Sequence, residues 1–186
     1  NFTISKDDHD FTFLSNINYE NQSQNNLSSI INICDYDLDK DMDIVFFKWS
    51  KIDKKSNLFY FSNENGVFRK KNIKIDLINN AKNYYLLSFD YNNDGYTDIL
   101  IFSNESVKLF ENVDGNEFKY NQKSGIIADN IINGAFLDFD IEGDLDLILI
   151  NKYENLFFQN NSDGTFNKIS KDIGIKNLGT KNKLIT

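Results

Sequence analysis

Three acidic loops at residues 35–43, 90–98 and 138–146 share one pattern of oxygen-bearing side chains. Asp, Asn or Glu stands at positions 1, 3, 5 and 9 of each loop, and an apolar run follows each time. Alternating residues of a tightly turned loop can point their oxygens at one centre, and Ca²⁺ takes six to eight oxygen ligands. The spacing therefore predicts a calcium site in each loop.

The predicted ligands are the oxygen side chains of the three loops and one backbone carbonyl, that of the tyrosine in the second loop. They are Asp35, Asp37, Asp39, Asp41, Asp43, Asp90, Asn92, Asp94, Tyr96 (through its carbonyl), Asp98, Asp138, Asp140, Glu142, Asp144 and Asp146.

Two substitutions distinguish the loops from one another. Lys40 replaces the glycine at position 6 of the first loop, where a positive φ disfavours other residues, and its charge offsets one nearby carboxylate. Glu142 replaces Asp at position 5 of the third loop and adds a methylene group. We therefore expect the second loop to bind Ca²⁺ best and the first loop to be weaker or distorted.

An EF-hand starts with a similar loop but requires a bidentate Glu at position 12 and a helix on each side. Position 12 is instead Phe46, Ile101 or Leu149. Each of these residues lies in a short apolar run that is typical of a strand buried on both faces. The sequence therefore predicts calcium loops that join two strands.

A hairpin signal follows each acidic loop. An Asn-Gly or Asp-Gly pair lies between apolar runs at residues 65–66, 114–115 and 163–164, and the glycines are 49 residues apart both times. Both residue types tolerate the positive φ of a primed turn. Each repeat therefore consists of two strands around the acidic loop and two around the turn, which predicts a four-stranded antiparallel blade of a β-propeller.

The repeats place three blades at residues 29–80, 81–128 and 129–175. Residues 1–28 are expected to be a linker around one strand at 11–14, which could close an earlier blade. Residues 176–186 are expected to start a following blade or to form a tail. The predicted fold class is all-β: a propeller segment of about three blades, with calcium loops between blade strands.

The acidic loops and the Leu-Phe-x-Asn-x-x-Asp-Gly-x-Phe tails together resemble the FG-GAP/VCBS repeats, which form calcium-binding blades of integrin α-subunit-like β-propellers. The resemblance covers residues 29–175 in three copies. The third unit is similar to repeats of the cartilage acidic protein 1 type, and the second loop to those of the T-cell immunomodulatory protein. The residues do not separate these two subfamilies.

Composition argues against several classes of function. The net charge is −8, but the three loops hold 13 of the 28 acidic residues, so the predicted metal sites account for much of the acidity. Arg69 is the only arginine, which argues against nucleic-acid binding. The single cysteine, Cys34, allows no disulfide within this chain and is expected to be a buried apolar side chain. The only histidine, His9, lies in a polar stretch, so the sequence indicates no Ser-His-Asp or Cys-His arrangement, and we predict no enzymatic activity.

The predicted calcium sites favour an extracellular, secretory-pathway or cell-surface location. Extracellular calcium modules have dissociation constants on the order of 0.1–1 mM, which suits a calcium-rich environment. A glycoprotein is compatible with five N-glycosylation sequons, and any membrane attachment is expected through an anchor outside this segment. The sequons start at Asn1, Asn21, Asn26, Asn104 and Asn160.

The resemblance implies a calcium-binding propeller module that acts in protein–protein interaction or cell adhesion. The alternative is a non-catalytic propeller attached to an enzyme such as a lyase or phospholipase. Because a closed propeller has 4–8 blades, we expect protein partners or further blades, of the same or another chain, to complete the structure. Without them, residues such as Phe46, Ile101 and Leu149 are expected to be partly open to water.

Overall fold

The computed structural model describes residues 27–50, 55–71 and 84–169, which form strands, turns and loops. The predicted strand at 11–14, the segment at 176–186 and the sequons at Asn1, Asn21 and Asn26 lie outside these residues. No helix long and apolar enough to cross a membrane occurs in the described ranges. The strands are β1 (Leu27–Cys34), β2 (Asp43–Ser50), β3 (Lys55–Glu64), β4 (Val67–Lys71), β5 (Tyr84–Phe89), β6 (Asp98–Ser103), β7 (Val107–Val113), β8 (Glu117–Tyr120), β9 (Ile131–Leu137), β10 (Asp146–Asn151), β11 (Asn155–Asn160) and β12 (Phe166–Lys168).

The strands form three four-stranded antiparallel sheets, in the orders β1-β2-β3-β4, β5-β6-β7-β8 and β9-β10-β11-β12. Each strand pairs with its neighbour in the sequence, so every sheet is a simple meander. This arrangement confirms the predicted all-β class with three propeller blades. One compact unit combines the first sheet with residues Asp114–Glu117, and another holds the rest of the second sheet and the third.

The second strand of each sheet is largely buried, as its apolar sequence predicts. All six residues of β6 are buried. Phe46, Ile101 and Leu149 are also buried, so the prediction that they would be partly open to water is wrong. Neighbouring strands of the same sheet contribute to this cover, since Phe46 stacks on Phe59 of β3 with ring centroids 5.9 Å apart. Among strand residues, the exposed large aliphatic side chains lie instead on the first strands, Ile31 and Ile33 on β1 and Ile132 and Leu137 on β9.

In the second compact unit, the first strands of two successive sheets pack against each other. Phe89 of β5 stacks on Phe136 of β9, with ring centroids 3.3 Å apart. Beside this stack, a Cβ on Gly134 of β9 would lie 2.8 Å from Leu149 Cδ2 on the paired strand β10 and in ordinary contact, at 3.5 Å, with Leu87 Cδ1 of β5. These contacts belong to one continuous apolar core that joins both sheets of the unit.

The predicted Asx-Gly turns take the expected primed conformation in two of the three sheets. Both residues have positive φ at 65–66 and at 114–115. In the third sheet the prediction is wrong for Asp163, because the positive φ values fall on Ser162 and Gly164. Asp163 Oδ1 accepts hydrogen bonds from the N–H and the hydroxyl of Thr165, at 3.0 and 2.5 Å, and this local bonding accompanies a longer connection between β11 and β12.

Cys34 ends β1 and is only half-buried, whereas the sequence predicted a buried side chain. Its Sγ lies 3.8 Å from the carbonyl oxygen of Asp35. The last position of the first strand therefore has access to water in this sheet.

A prediction about backbone packing follows from the glycine at position 115. A Cβ on Gly115 would lie 2.6 Å from both Cα and Cβ of Asp37, whereas a Cβ on Gly143 would meet nothing within 4 Å. Both glycines have positive φ, so both Ala substitutions strain the backbone, and only Gly115→Ala also creates a clash. Urea unfolding in chelator should show Gly115→Ala to be about 1–3 kcal/mol less stable than Gly143→Ala. Equal losses in the two variants would contradict the close contact.

Candidate metal centres

The three acidic loops connect the first and second strands of the three sheets: β1 to β2, β5 to β6 and β9 to β10. This placement agrees with the prediction of loops between strands and excludes an EF-hand, because position 12 of every loop lies in a strand.

Each loop turns through two left-handed residues, at positions 4 and 6. The residue at position 6 is Lys40 in the first loop, with φ of 76°, which confirms that it occupies the glycine position. Position 4 was not predicted to be left-handed, yet φ is 62° at Leu38 and 65° at Ile141. Bulky or β-branched residues disfavour this region, so the loops store backbone strain. The second loop has Asn93 and Gly95 at these positions, both of which tolerate it better.

The carboxylate at position 9 of each loop is buried and accepts two backbone hydrogen bonds. One comes from the N–H at loop position 2, and the other from the N–H of the asparagine in the Leu-Phe-x-Asn tail, or its counterpart in the first sheet. The pairs are Tyr36 (2.8 Å) and Asn63 (2.8 Å) on Asp43; Tyr91 (3.0 Å) and Asn112 (2.7 Å) on Asp98; and Phe139 (3.1 Å) and Asn160 (2.8 Å) on Asp146.

Burial raises the pKa of all three position-9 carboxyl groups. The effect brings the pKa of Asp98 to about 7, with the carboxylates of Asp94 and Asp90 adding to the rise and the two backbone hydrogen bonds opposing it. The pKa values of Asp43 and Asp146 are also raised, again mainly by burial. A cation beside these groups would favour their charged forms and oppose this rise.

In the first loop, three carboxylates converge. Ligand oxygens of Asp35, Asp37 and Asp39 lie within 4.8 Å of one another. One oxygen of each of the first two, Oδ1 of Asp35 and Oδ1 of Asp37, is buried without a hydrogen-bond partner. Their second oxygens accept from the Lys40 N–H at 3.0 Å and from the Ser62 hydroxyl at 2.9 Å. Buried carboxylate oxygens without donors are what a bound cation would satisfy.

The third loop brings together Asp138, Asp140 and Asp146, again within 4.8 Å. Asp138 accepts the N–H groups of Glu142 and Gly143, at 3.1 and 3.0 Å, which pulls the loop into a tight turn around the carboxylate. The Glu142 side chain is exposed, and the structure does not bring its carboxylate into this cluster.

The second loop forms the same hydrogen bonds between its first carboxylate and its own N–H groups as the third loop, but its side chain at position 3 is the amide of Asn92. Asp90 accepts the N–H groups of Asp94 and Gly95, at 3.2 and 2.8 Å. Asp94 accepts from the Asn92 amide at 2.9 Å and from the Tyr96 N–H at 2.8 Å. The predicted side-chain ligands at positions 1, 3 and 5 therefore lie next to one another.

The position-7 carboxylates point elsewhere. Asp41 accepts the N–H of Asn65 at 2.9 Å, and Asp144 accepts the hydroxyl of Ser162, so both side chains bond to the turn of their own sheet. These two carboxylates are placed to hold the turn against the loop. The carboxylates that the structure brings together are those at positions 1, 3 and 5 of the first loop and at positions 1, 3 and 9 of the third, and such all-oxygen sets fit a hard divalent cation.

The tail asparagine of the third sheet links its own turn to the second and third acidic loops. Asn160 caps its turn through Oδ1, which accepts the Ser162 N–H at 3.0 Å. Its amide also donates to the carbonyls of Tyr91 and Leu145, at 2.7 and 3.2 Å, and the side chain is buried. A glycan on Asn160 is incompatible with these contacts, so this sequon is not a modification site in the folded chain.

Residues 90–149, which contain the second and third acidic loops, match the FG-GAP-like repeat family. This segment is therefore similar to FG-GAP-like repeats. No curated protein sequence is significantly similar to the chain.

Among solved structures, the chain is similar to a lectin of Agrocybe aegerita that recognises non-reducing terminal N-acetylglucosamine. The two share 18% identity with a TM-score of 0.57, over 77% of this chain and 38% of the lectin chain. The chain thus spans well under half of the lectin, and at this identity the similarity concerns the fold alone. The chain also matches a structure of the Photorhabdus luminescens Tc holotoxin pore, with 14% identity and a TM-score of 0.39, over 83% of this chain and 10% of that one.

Lys40→Gly is predicted to improve the first loop in two ways. It relieves the left-handed backbone strain at φ of 76°, which should raise the free energy of unfolding in chelator by on the order of 1 kcal/mol. It also removes a positive charge beside the carboxylates. Calcium affinity of this loop should rise by up to about fivefold, since charges a few ångströms apart in water interact by ~1 kcal/mol. Lys40→Ala removes the charge but keeps the strain, so comparing the two variants by urea unfolding and calorimetry separates the effects. Weaker calcium binding in Lys40→Gly would show that Lys40 supports the site.

Calcium binding is predicted to release protons below neutral pH. The metal-free pKa of Asp98 is raised to about 7, so at pH 6 this carboxyl is mostly protonated and must lose its proton to a bound cation. The raised pKa stabilises the metal-free fold. This stabilisation is complete below the unfolded-state pKa of about 4, and it is lost as the pH rises through the folded-state pKa of about 7. Affinity should therefore increase up to about pH 7 and then level off. Titration calorimetry in two buffers of different ionisation enthalpy measures the released protons; none at pH 6 would contradict the prediction.

Proposed function

We propose that this chain is a calcium-stabilised FG-GAP-like propeller segment that serves as an interaction or adhesion module of an extracellular or cell-surface protein. One observation supports calcium most directly. Two buried carboxylate oxygens of the first loop, on Asp35 and Asp37, lack any hydrogen-bond donor and lie within a cluster of three carboxylates. Such a cluster is costly to bury unless a cation balances it.

Some residues of each loop would bind the cation, and others would hold the loop in the conformation that binds it. Carboxylates at positions 1 and 3 of the first loop already lie together, and the tight turn that orders them is stabilised by loop N–H groups, such as that of Lys40 on Asp35. The buried position-9 carboxylate links the loop to the tail of the same sheet. A bound Ca²⁺ would neutralise the mutual repulsion of these groups.

The interaction role is supported by the architecture. Meander sheets with buried central strands make a rigid scaffold, and the loops between their strands remain on the surface, where binding residues of such folds are usually found. The acidic loops are the most distinctive surface features of this chain, with 13 of its 28 acidic residues. Calcium would therefore order the surface that is available to a partner.

Thermal unfolding tests the calcium part of the proposal. Adding Ca²⁺ to the chelator-treated chain should raise its melting temperature progressively with concentration, because a ligand that binds only the folded state stabilises it by mass action. Mg²⁺ should have a much smaller effect, since it demands stricter octahedral geometry. Asp94→Ala removes one oxygen of the second loop and should lower both the calcium affinity and the calcium-dependent stabilisation.

The matched control for Asp94→Ala is Asp129→Ala, which removes an exposed carboxylate outside the loops. The control variant should respond to Ca²⁺ like the unmodified chain. A melting temperature that does not change between chelator and millimolar Ca²⁺ would refute calcium binding, and an equal loss in the two variants would refute the role of the second loop.

A further inference from the structure

The third strand of each sheet carries one side chain whose type changes from repeat to repeat. It belongs to the residue immediately before the tail asparagine, which we call the pre-asparagine residue: Ser62 on β3, Glu111 on β7 and Gln159 on β11. In all three sheets it directly follows a phenylalanine that pairs with the residue after loop position 9. The pairs are Phe61 with Ile44, Phe110 with Ile99, and Phe158 with Leu147. The register therefore gives the three side chains the same place in their sheets.

In the first sheet, the pre-asparagine residue holds the carboxylate at loop position 3. Ser62 is almost fully buried, and its hydroxyl donates to Oδ2 of Asp37 at 2.9 Å. The other oxygen of this carboxylate, Oδ1, is buried without a hydrogen-bond partner, and Asp37 belongs to the cluster of three carboxylates. Ser62 thus fixes one oxygen of the group and leaves the second one for a cation.

The third sheet repeats this contact with a different side chain. Gln159 Nε2 donates to Oδ2 of Asp140 at 2.8 Å, and Asp140 is one of the three clustered carboxylates of its loop. A serine hydroxyl and a glutamine amide are both hydrogen-bond donors, so either can orient a carboxylate. The contact is therefore a property of the repeat, and it does not depend on one side-chain type.

The second sheet exchanges the two kinds of group. Loop position 3 is the amide of Asn92, and the pre-asparagine residue is the carboxylate of Glu111. Glu111 is half-buried on β7, and its side chain is as long as that of Gln159, so it can reach the loop as the Gln159 amide does. Each sheet thus has one carboxylate in this pair of positions: Asp37 with Ser62, Asn92 with Glu111, and Asp140 with Gln159.

We propose that the pre-asparagine residue is part of each cation site and that its role depends on loop position 3. Ser62 and Gln159 are positioning residues, which orient the carboxylate at position 3. Glu111 is a ligand of the second site, and it supplies the negative charge that Asn92 lacks. This inference rests on the proposed calcium sites and adds one residue of the third strand to each of them.

The exchange explains how the second loop can bind a divalent cation with an amide at position 3. A carboxylate offers Ca²⁺ both an oxygen and a negative charge, whereas an amide offers only the oxygen. Positions 1, 3, 5 and 9 supply four carboxylates in the first and third loops but only three in the second, on Asp90, Asp94 and Asp98. Glu111 restores the number to four.

Calcium titrations followed by two-dimensional NMR of the isotope-labelled full chain test this inference at single loops. The N–H groups of Gly95 and Gly143 report the second and third loops separately, because each donates to the position-1 carboxylate of its own loop, at 2.8 and 3.0 Å. Glu111→Gln should weaken the binding reported by Gly95 by about 10–100-fold, the range for residues that support a metal site, and leave that reported by Gly143 unchanged. Glu105→Gln is the matched control, because it removes an exposed carboxylate just before β7 begins. The control should bind Ca²⁺ like the unmodified chain.

Exchanging the pair distinguishes a cation ligand from a residue that only supports the fold. Adding Asn92→Asp to Glu111→Gln recreates the carboxylate and amide pair of the third sheet, so the calcium affinity reported by Gly95 should recover. A residue that acts only through folding stability would not be rescued by a new carboxylate on the opposite side of the pair.

The third sheet provides the reciprocal exchange as an independent test. Asp140→Asn should weaken the binding reported by Gly143, and adding Gln159→Glu, which recreates the pair of the second sheet, should restore it. All four substitutions keep the size of the side chain, and the dispersion of the amide signals in chelator shows that each variant is folded. If one pair does not fold, the other sheet still decides the outcome.

The results separate this inference from the proposed function on which it rests. Unchanged calcium binding in Glu111→Gln, equal weakening by Glu105→Gln, or double variants as weak as the single ones would overturn the inference while calcium binding itself stands. If Ca²⁺ shifts neither glycine signal of the unmodified chain, the proposed calcium sites of these two loops are overturned as well.

Discussion

A buried carboxylate at the end of each acidic loop is the constraint on which the rest of the structure depends. Asp43, Asp98 and Asp146 are almost fully buried, and each accepts one N–H from its own loop and one from the tail of its sheet. Burying a charge is costly unless it is fully hydrogen-bonded. The loop, the second strand and the third strand must therefore fold together, and the repeat becomes a unit rather than a series of independent hairpins.

The acidic loops combine repulsion between clustered carboxylates with backbone strain. Carboxylates at loop positions 1 and 3 are drawn together by N–H groups of the tight turn, and in the first loop two of their buried oxygens receive no donor. Left-handed Leu38 and Ile141 add backbone strain at the tips of the outer two loops. Strain and clustered charge at a surface site are typical of a binding function, and here the acidic residues favour a cation as the ligand.

Repetition gives the sheets two complementary faces. The packing of Phe89 on Phe136 and the seating of Gly164 against Tyr91 show how one sheet covers the previous one. The corresponding strand faces at Ile33 of β1 and Leu137 of β9 are exposed, because no sheet among the described residues packs on them.

The sequence alone determined the three repeats, the strand-joining loops, two of the three primed turns and the position of Lys40, because these follow from local residue spacing and φ preferences. It did not reveal that the position-9 carboxylates bond to the tail asparagines, that Asp144 faces the turn, or that Phe46 is buried while Ile33 is exposed. These features depend on which strands become neighbours and how their faces meet. Contacts between residues distant in the chain are decided only when the sheets pack, since periodicity specifies that a side chain is apolar but not which surface covers it.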